Sequence, residues 1–244
     1  MSFKTRKVQS VIIWSIIALA YITVWLIPLF THYNGVASGA DEAFSILRKS
    51  SLFKWYIVPL FVYVVYLYLD EIKKNNLAGI CAGLSFFLMD AFNEIWNGLF
   101  YTATGFSAVW MCSFPTAYQP LMGWNIEIIF MFLILGLAST KLLPEDRDAT
   151  ILGINNRHFF AFIMAWLCVL VEILLNKWGA LIWNYSWWKA DFPYLIFIIG
   201  YWPFFEIAYF VYDMKNTKRQ LIFTSTFALV IVISLTIFIS LGLI

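Results

Sequence analysis

An all-α integral membrane protein, a bundle of about seven transmembrane helices forming one domain over residues 1–244, is the fold class this sequence predicts, and three observations predict it. Apolar residues make up 62% of the chain and charged residues only 12%, whereas ordinary soluble domains carry about 25% charged residues. Mean hydropathy is +0.80. Apolar runs recur along the chain at lengths near the roughly 20 residues that a helix needs to cross the hydrocarbon core.

In order, the spans are expected at about 9–30, 53–70, 77–103, 122–141, 158–178, 193–213 and 221–243. Lys4, Arg6 and Lys7 before the first run resemble the start of a signal peptide. That run is too long for the apolar region of a signal and has no small-residue cleavage site, so it reads as a span. The longest pieces between spans are 31–52 and 105–121 on the outer side and 142–157 on the inner side. Within the first, Ser38-Gly-Ala-Asp-Glu-Ala has the pattern of a capped short helix lying over the outer mouth. No repeat and no Pro/Gly/Ser linker divides the chain, which predicts one bundle.

Orientation follows from the Lys and Arg count. With the N-terminus inside, the inner side holds Lys4, Arg6, Lys7, Lys73, Lys74, Lys141, Arg147, Arg157, Lys215, Lys218 and Arg219. The outer side holds Arg48, Lys49, Lys54, Lys177 and Lys189. Eleven against five predicts N-in and C-out. The outer loops also carry Trp110, Trp178, Trp183, Trp187 and Trp188, which read as an interfacial aromatic belt. A net charge of +2 is too small for an electrostatic grip on nucleic acid. Cys81, Cys112 and Cys168 lack metal or redox spacing and read as small apolar residues.

Of 14 acidic residues, nine fall in loops or at helix ends, and five, Asp90, Glu94, Glu127, Glu172 and Glu206, fall within the third to sixth spans. A carboxylate at mid-membrane costs about 2.5 to 3.5 kcal/mol on insertion scales, so such residues face a polar interior and mark function. At about 1.5 Å of rise per residue, Glu94, Glu127 and Glu172 lie roughly 6 to 8 Å to the outer side of the midplane. Asp90 lies near the midplane and Glu206 within about 5 Å of it on the inner side. Four helices are therefore expected to deliver acids to one slab.

The third span carries Asp90-x-x-Asn93-Glu94-x-x-Asn97, which places four polar groups on one helical face. The fourth adds Trp124, Asn125 and Glu127, the fifth Glu172 and Asn176, and the sixth Tyr201, Trp202, Glu206 and Tyr209. The seventh has no acid and reads as a lipid-facing wall. No Lys, Arg or His accompanies the acids in these spans, since His32 and His158 sit at helix ends. Either some of the carboxyls carry a proton at neutral pH or a cation binds among them. The plain structural reading, interhelical hydrogen bonds worth about 0.6 to 2 kcal/mol each, suits single Asn residues better than a set of acids that neutral Gln would replace at lower cost.

A neutral carboxylic acid in an apolar cavity is a strong general acid for its surroundings. If its proton goes to an alkene or epoxide, the cation formed is stabilised by π faces and would be trapped by bases. Acids with aromatic rings and without Lys or His therefore suit proton-initiated isomerisation or cyclisation of an isoprenoid lipid supplied by the membrane.

The stretch Asn93-Glu-Ile-Trp-Asn-Gly-Leu-Phe-Tyr101 resembles the acid-containing helix of the membrane-bound terpene cyclases of fungal and bacterial meroterpenoid pathways. In that family a Glu followed by Ile leads into an aromatic-rich Leu-x-Tyr stretch, and a second acid lies on a late helix with an aromatic three residues on. Glu206 with Tyr209 would fill that place here, with Glu where the family typically has Asp. The resemblance covers about a fifth of the chain, and Glu127 and Glu172 have no counterpart in it. It implies a small, multi-spanning, metal-independent enzyme that protonates an epoxide or alkene of a prenylated substrate. Trp202-Pro-Phe-Phe-Glu206 gives a second analogy, to carotenoid cyclases of the lycopene type, without their paired acids after proline.

Three other classes remain open, one of them a receptor or assembly subunit that only binds, which no feature of the sequence excludes. A proton- or cation-coupled transporter or channel would use the same carboxylates, with Gly200-Tyr-Trp-Pro203 breaking the sixth helix. A polar row reaching the inner face would mark transport, and a dead-end aromatic cavity would mark an enzyme. Asp90, Glu94 and Glu127 could also offer oxygens to Mg²⁺. A diphosphate site would want Lys or Arg nearby, so the expected chemistry is metal-free and cofactor-free. In the enzyme reading Glu94 is the general acid and Asp90 or Glu206 shares or returns the proton. Trp96, Trp124, Trp202 and Tyr209 shape the substrate and stabilise cationic character, Asn93, Asn97 and Asn125 orient the acids, and Glu127, Glu172 and Tyr201 complete the lining. The partners expected are an isoprenoid lipid and the bilayer, either a bacterial or archaeal inner membrane or the endoplasmic reticulum.

Overall fold

Helices begin and end in this chain where short polar residues and glycine interrupt the apolar runs. The computed structural model describes residues 3–112 and 115–244, with side chains from residue 9 onward. The side chains of Lys4, Arg6 and Lys7, on which part of the charge count rests, lie outside the described residues.

The first run forms α1 (Phe3–Thr23) and continues as a 3₁₀ turn, Val24–Leu29, that contains Pro28. A short α2 (Ala40–Ser45) follows, then α3 (Ile57–Lys73), α4 (Leu77–Thr104) and α5 (Ile126–Thr140). An antiparallel hairpin of β1 (Thr150–Ile151) and β2 (Ile154–Asn155) turns through Leu152 and Gly153, both at positive φ, and leads into α6 (Asn156–Lys177). A π-helical segment, Ile196–Tyr201, runs into α7 (Trp202–Tyr212), and α8 (Thr217–Ser240) closes the chain.

Asparagine starts four of these helices. The side chains of Asn76, Asn125, Asn155 and Asn216 accept the first free N–H groups of α4, α5, α6 and α8. Each cap satisfies a donor that the helix itself leaves open. The expected short helix over the outer side is present as α2, but Gly39 at φ 80° precedes it with no side-chain cap, so Ser38 does not act as one.

Among the described residues, four helices are long and apolar enough to cross a membrane: Gln9–Leu29, Leu77–Thr104, Asn156–Lys177 and Thr217–Ser240. Two shorter apolar helices, Ile126–Thr140 and Ile196–Tyr212, accompany them. The protein is a multi-pass integral membrane protein. Burial ranks the helices: 78% of the apolar window of α4 is buried against 11%, 22% and 28% for the other three, which places α4 at the centre. A helix buried on all sides can carry acids without facing them to lipid.

Close packing around α4 explains its small residues. A Cβ on Gly136 of α5 would stand 2.7 Å from Cβ of Phe86 and 2.8 Å from the carbonyl oxygen of Gly83, so glycine lets α5 approach α4 at contact distance. Phe86 meets Phe205 of α7 at a ring distance of 4.8 Å. Ser85 and Thr224 of α8 share a hydrogen bond at 3.0 Å. The last helix is therefore more than a lipid-facing wall: Gln220, Phe223, Thr224, Phe227, Ile231 and Ser234 form its buried face, and Ala228, Leu235 and Phe238 are half-buried beside it.

Candidate functional site

The polar face of α4 is buried as the spacing predicts. Asp90, Asn93, Glu94 and Asn97 are all buried, one turn apart on the central helix. Their partners come mostly from the loop between α4 and α5. The indole N–H of Trp124 donates to Oδ2 of Asp90 at 2.7 Å, and that of Trp110 donates to Oε1 of Glu94 at 2.7 Å. Asn97 holds the second loop in place, accepting from the backbone N–H of Val109 at 2.7 Å and donating to the carbonyl of Trp110 at 2.8 Å. Asn93 donates to the carbonyl of Ile199 at 2.7 Å, inside the π-helical segment. A π-helix displaces the backbone from its usual register, so that carbonyl turns toward α4.

A cavity of about 40 Å³ lies against these residues, lined among others by Asp90, Glu94, Glu172, Trp188, Gly200 and Tyr201. Glu172 of α6 lies among Tyr201, Trp183 and Trp188. Among the described residues, Oε2 of Glu94 on the cavity lining makes no hydrogen bond, while the indoles of Trp183 and Trp188 lie toward Glu172. Buried polar groups are nearly always paired, so an orphaned carboxyl oxygen beside a cavity is unusual. No Lys, Arg or His lines the cavity. Stacked rings form its outer wall, with Trp96 on Trp110 at 6.3 Å and Trp110 on Trp188 at 5.2 Å.

Several expectations need correction. Three of the five membrane acids converge, and two do not. Glu127, in the first turn of α5, accepts from the hydroxyl of Tyr56 and from the backbone N–H of Ala117 at 2.7 Å, tying the outer loop to the start of α3. Glu206 lies on the other side of Phe204 and Phe205, paired with His158 at 2.8 Å and with the indole of Trp202 at 2.9 Å. A histidine thus does accompany one of the acids, because the first turn of α6 brings His158 over α7.

The aromatic and amide expectations divide in the same way. Tyr201 lines the acid cavity, while Trp202 points away, partly exposed and stacked on Phe197 at 5.7 Å. Tyr209 lines a second, inner cavity beside Glu206. Asn125 caps α5 through Ile128 and leaves the acids to others. Asn176 donates to the carbonyl of Leu181 and fixes the loop after α6.

The tryptophan belt is overturned for its two most informative members. Trp110 is 9% and Trp188 1% exposed, buried where the loops fold back into the bundle, whereas Trp178 at 74% is at the surface. Paired backbone segments at Met111 and Ile182 hold those loops together. Trp110, Trp183 and Trp188 are the residues the sequence reading missed. Their one available signal was clustering beside loop positions that also carry Asn184 and Ser107, which bond each other at 3.0 Å.

Between the acid cavity and the inner one stands a layer of phenylalanine rings, Phe86, Phe132 and Phe204, packed at 5.5 to 5.9 Å. No three His, Cys, Asp or Glu side chains among the described residues group so as to hold a metal ion.

Comparison with known proteins agrees with the membrane assignment. The model of a family described as an uncharacterized membrane protein family matches residues 37–240. A protein of Archaeoglobus fulgidus described as an uncharacterized protein is 53% identical over 181 residues, spanning 74% of this chain and 86% of that relative. A second protein of the same organism, with the same description, is 57% identical over 30 residues, 12% of this chain and 54% of its own length. No solved structure matches the chain.

Proposed function

The chain belongs to an uncharacterized membrane protein family, and from that premise we propose that it is a membrane-embedded acid catalyst that isomerises or cyclises an isoprenoid lipid without a metal. One observation carries the reading: Glu94 has one oxygen held by Trp110 while the other, buried and unpartnered, lies beside a cavity walled by aromatic rings and free of bases. An unpaired oxygen buried in low dielectric is stable as the neutral carboxyl, and the neutral carboxyl is the form that gives a proton away. The remaining groups have matching roles. Trp110 fixes the carboxyl, Asp90 one turn earlier shares or receives the proton, and Glu172 with Tyr201 closes the opposite wall. The faces of Trp110 and Trp188 stabilise positive charge by about 0.5 to 2 kcal/mol per contact. The phenylalanine layer below supports a dead end and not a path.

The cavity is small. About 40 Å³ takes a water or one branched carbon unit, so catalysis requires the rest of the substrate to displace rings of the wall. That same volume favours a second reading, in which three carboxyls around a water form the proton site of a coupled transporter.

One comparison tests both. Lipid extracts from cells expressing wild type and Glu94→Gln, supplied with prenylated and epoxidised lipids, are separated with mass detection. A product of unchanged mass and shifted retention, formed only by wild type, is the expected result. Proton flux into liposomes carrying wild type, absent for Glu94→Gln and unaccompanied by any product, would put the transporter in its place.

In either reading the bundle has seven spans, N-in and C-out. The 11 to 5 bias of basic residues supports the orientation, and in this reading α3 joins the six apolar helices described above as the seventh crossing. At about 1.5 Å per residue the 15-residue α5 covers roughly 22 Å.

A further inference from the structure

Below the phenylalanine layer lies a second and larger cavity, about 360 Å³, between α1, the β hairpin, α6 and α7. Its size falls in the range of small-molecule sites, roughly 300 to 1,000 Å³, and nothing in the acid chemistry above uses it. We propose that this cavity binds a compact zwitterion, a phosphate or similar oxyanion joined to an amine by a short linker, either as a free molecule or as the headgroup of a phospholipid.

The charges argue for a zwitterion. Among the described residues, Arg147, Arg157 and His158 line the cavity together with Asp148, Glu206 and Asp213, three basic against three acidic side chains. Two of these pairs are made inside the protein. Arg157 reaches both oxygens of Asp213 at 3.0 Å, and His158 bonds Glu206 at 2.8 Å. Arg147 spends one amino group on the carbonyl of Asp213 at 3.0 Å, and Asp148, next to it in the chain, also lines the cavity. A site with balanced charge gains little from an ion of one sign, since each added charge meets an equal and opposite neighbour. A ligand that carries both signs gains at both ends.

Two orphaned groups point the same way. Tyr209 is 1% exposed and lines the cavity, and its hydroxyl, near Ser139, makes no hydrogen bond of ordinary geometry among the described residues. The side-chain oxygen of Gln9, on the α1 wall, is also buried without a partner. One is a donor that an oxyanion would accept from, and the other is an acceptor only, which an ammonium would satisfy. Donor and acceptor in one cavity with Arg147 and Glu206 are what the two ends of a zwitterion require.

The test is a calorimetric titration of the full-length, detergent-purified protein with O-phosphoethanolamine, with inorganic phosphate and ethanolamine alone as controls. Wild type is expected to bind the zwitterion at least tenfold more tightly than either half. Tyr209→Phe, which keeps the ring packed on Phe205, is expected to weaken binding about tenfold, the scale of one hydrogen bond to a charged group. Arg147→Gln is expected to weaken it further. In a parallel arm the protein sits in nanodiscs of phosphatidylglycerol with or without phosphatidylethanolamine. If the lipid raises thermal stability in wild type and less in Tyr209→Phe, the source is a headgroup, and if only the soluble compound binds, the source is a free zwitterion. Binding of phosphate alone as tight as the zwitterion, binding unaffected by either substitution, or no binding in both arms would overturn the proposal.

Discussion

The indole N–H of Trp110 reaches Oε1 of Glu94 at 2.7 Å across 16 residues of chain and leaves Oε2 of the same carboxyl buried without a partner. One oxygen is fixed and the other is available, so the carboxyl is positioned without being spent. Four predictions follow from the way the surrounding residues create that condition.

Glu94→Gln keeps an oxygen for Trp110 to donate to and removes the proton donor. The protein is expected to fold and insert as wild type does, with an unchanged thermal unfolding midpoint, while any product in the lipid assay disappears. Retained turnover in a well-folded Glu94→Gln protein removes Glu94 from the chemistry.

Trp110→Phe and Trp124→Phe preserve ring volume and delete the N–H that satisfies a buried carboxyl oxygen. Leaving such an acceptor unpaired costs about 1 to 3 kcal/mol. Both variants should unfold at lower temperature in detergent, and Trp110→Phe should also lose activity because Glu94 is no longer held. Equal stability of all three proteins would contradict the hydrogen-bonded arrangement.

Glycines separate cavity from packing. A Cβ on Gly200 meets nothing closer than 3.7 Å, so Gly200→Ala fits and reduces the acid cavity. It is expected to leave stability unchanged and to lower activity at limiting substrate. Gly136→Ala meets Phe86 and the backbone of Gly83 under 3 Å and is expected to destabilise by about 1 to 3 kcal/mol. Unfolding curves of the pair, read beside their activities, check both expectations.

Glu127 holds a loop and is not part of the acid set. Its hydrogen bond from Tyr56, with burial adding to it, pushes the Tyr56 hydroxyl up to about 12 from an ordinary 10.0. A hydroxyl that holds its proton more tightly when folded stabilises the fold below pH 10, and that contribution fades as pH rises toward about 12. Tyr56→Phe should therefore flatten the stability profile in this window while leaving activity at neutral pH intact. A loss of activity at neutral pH would return Glu127 to the functional set.

The helical membrane architecture was legible because length and apolar composition alone specify a span. The buried face Asp90, Asn93, Glu94 and Asn97 was legible because it is a local pattern on one helix. Glu127 and Glu206 were misplaced because depth along a span says nothing about which way a side chain turns, and a helix that starts at Asn125 or Asn155 brings groups from outside the span against it. Trp110, Trp183 and Trp188 were invisible as site residues because their place depends on loops folding back into the bundle, a tertiary event with no periodic signature. The break in the sixth helix was read from Gly200 and Pro203, and it takes the form of a π-helical segment whose Ile199 carbonyl meets Asn93.

The most direct test of the account is turnover in heavy water. Purified protein in bilayers is given alkene-bearing isoprenoid lipids in D₂O, and the product is weighed by mass spectrometry. If Glu94 hands its proton to carbon, the wild-type product carries one deuterium in a non-exchangeable position and Glu94→Gln forms none. A product without deuterium on carbon, or the same product from Glu94→Gln, would contradict the central claim.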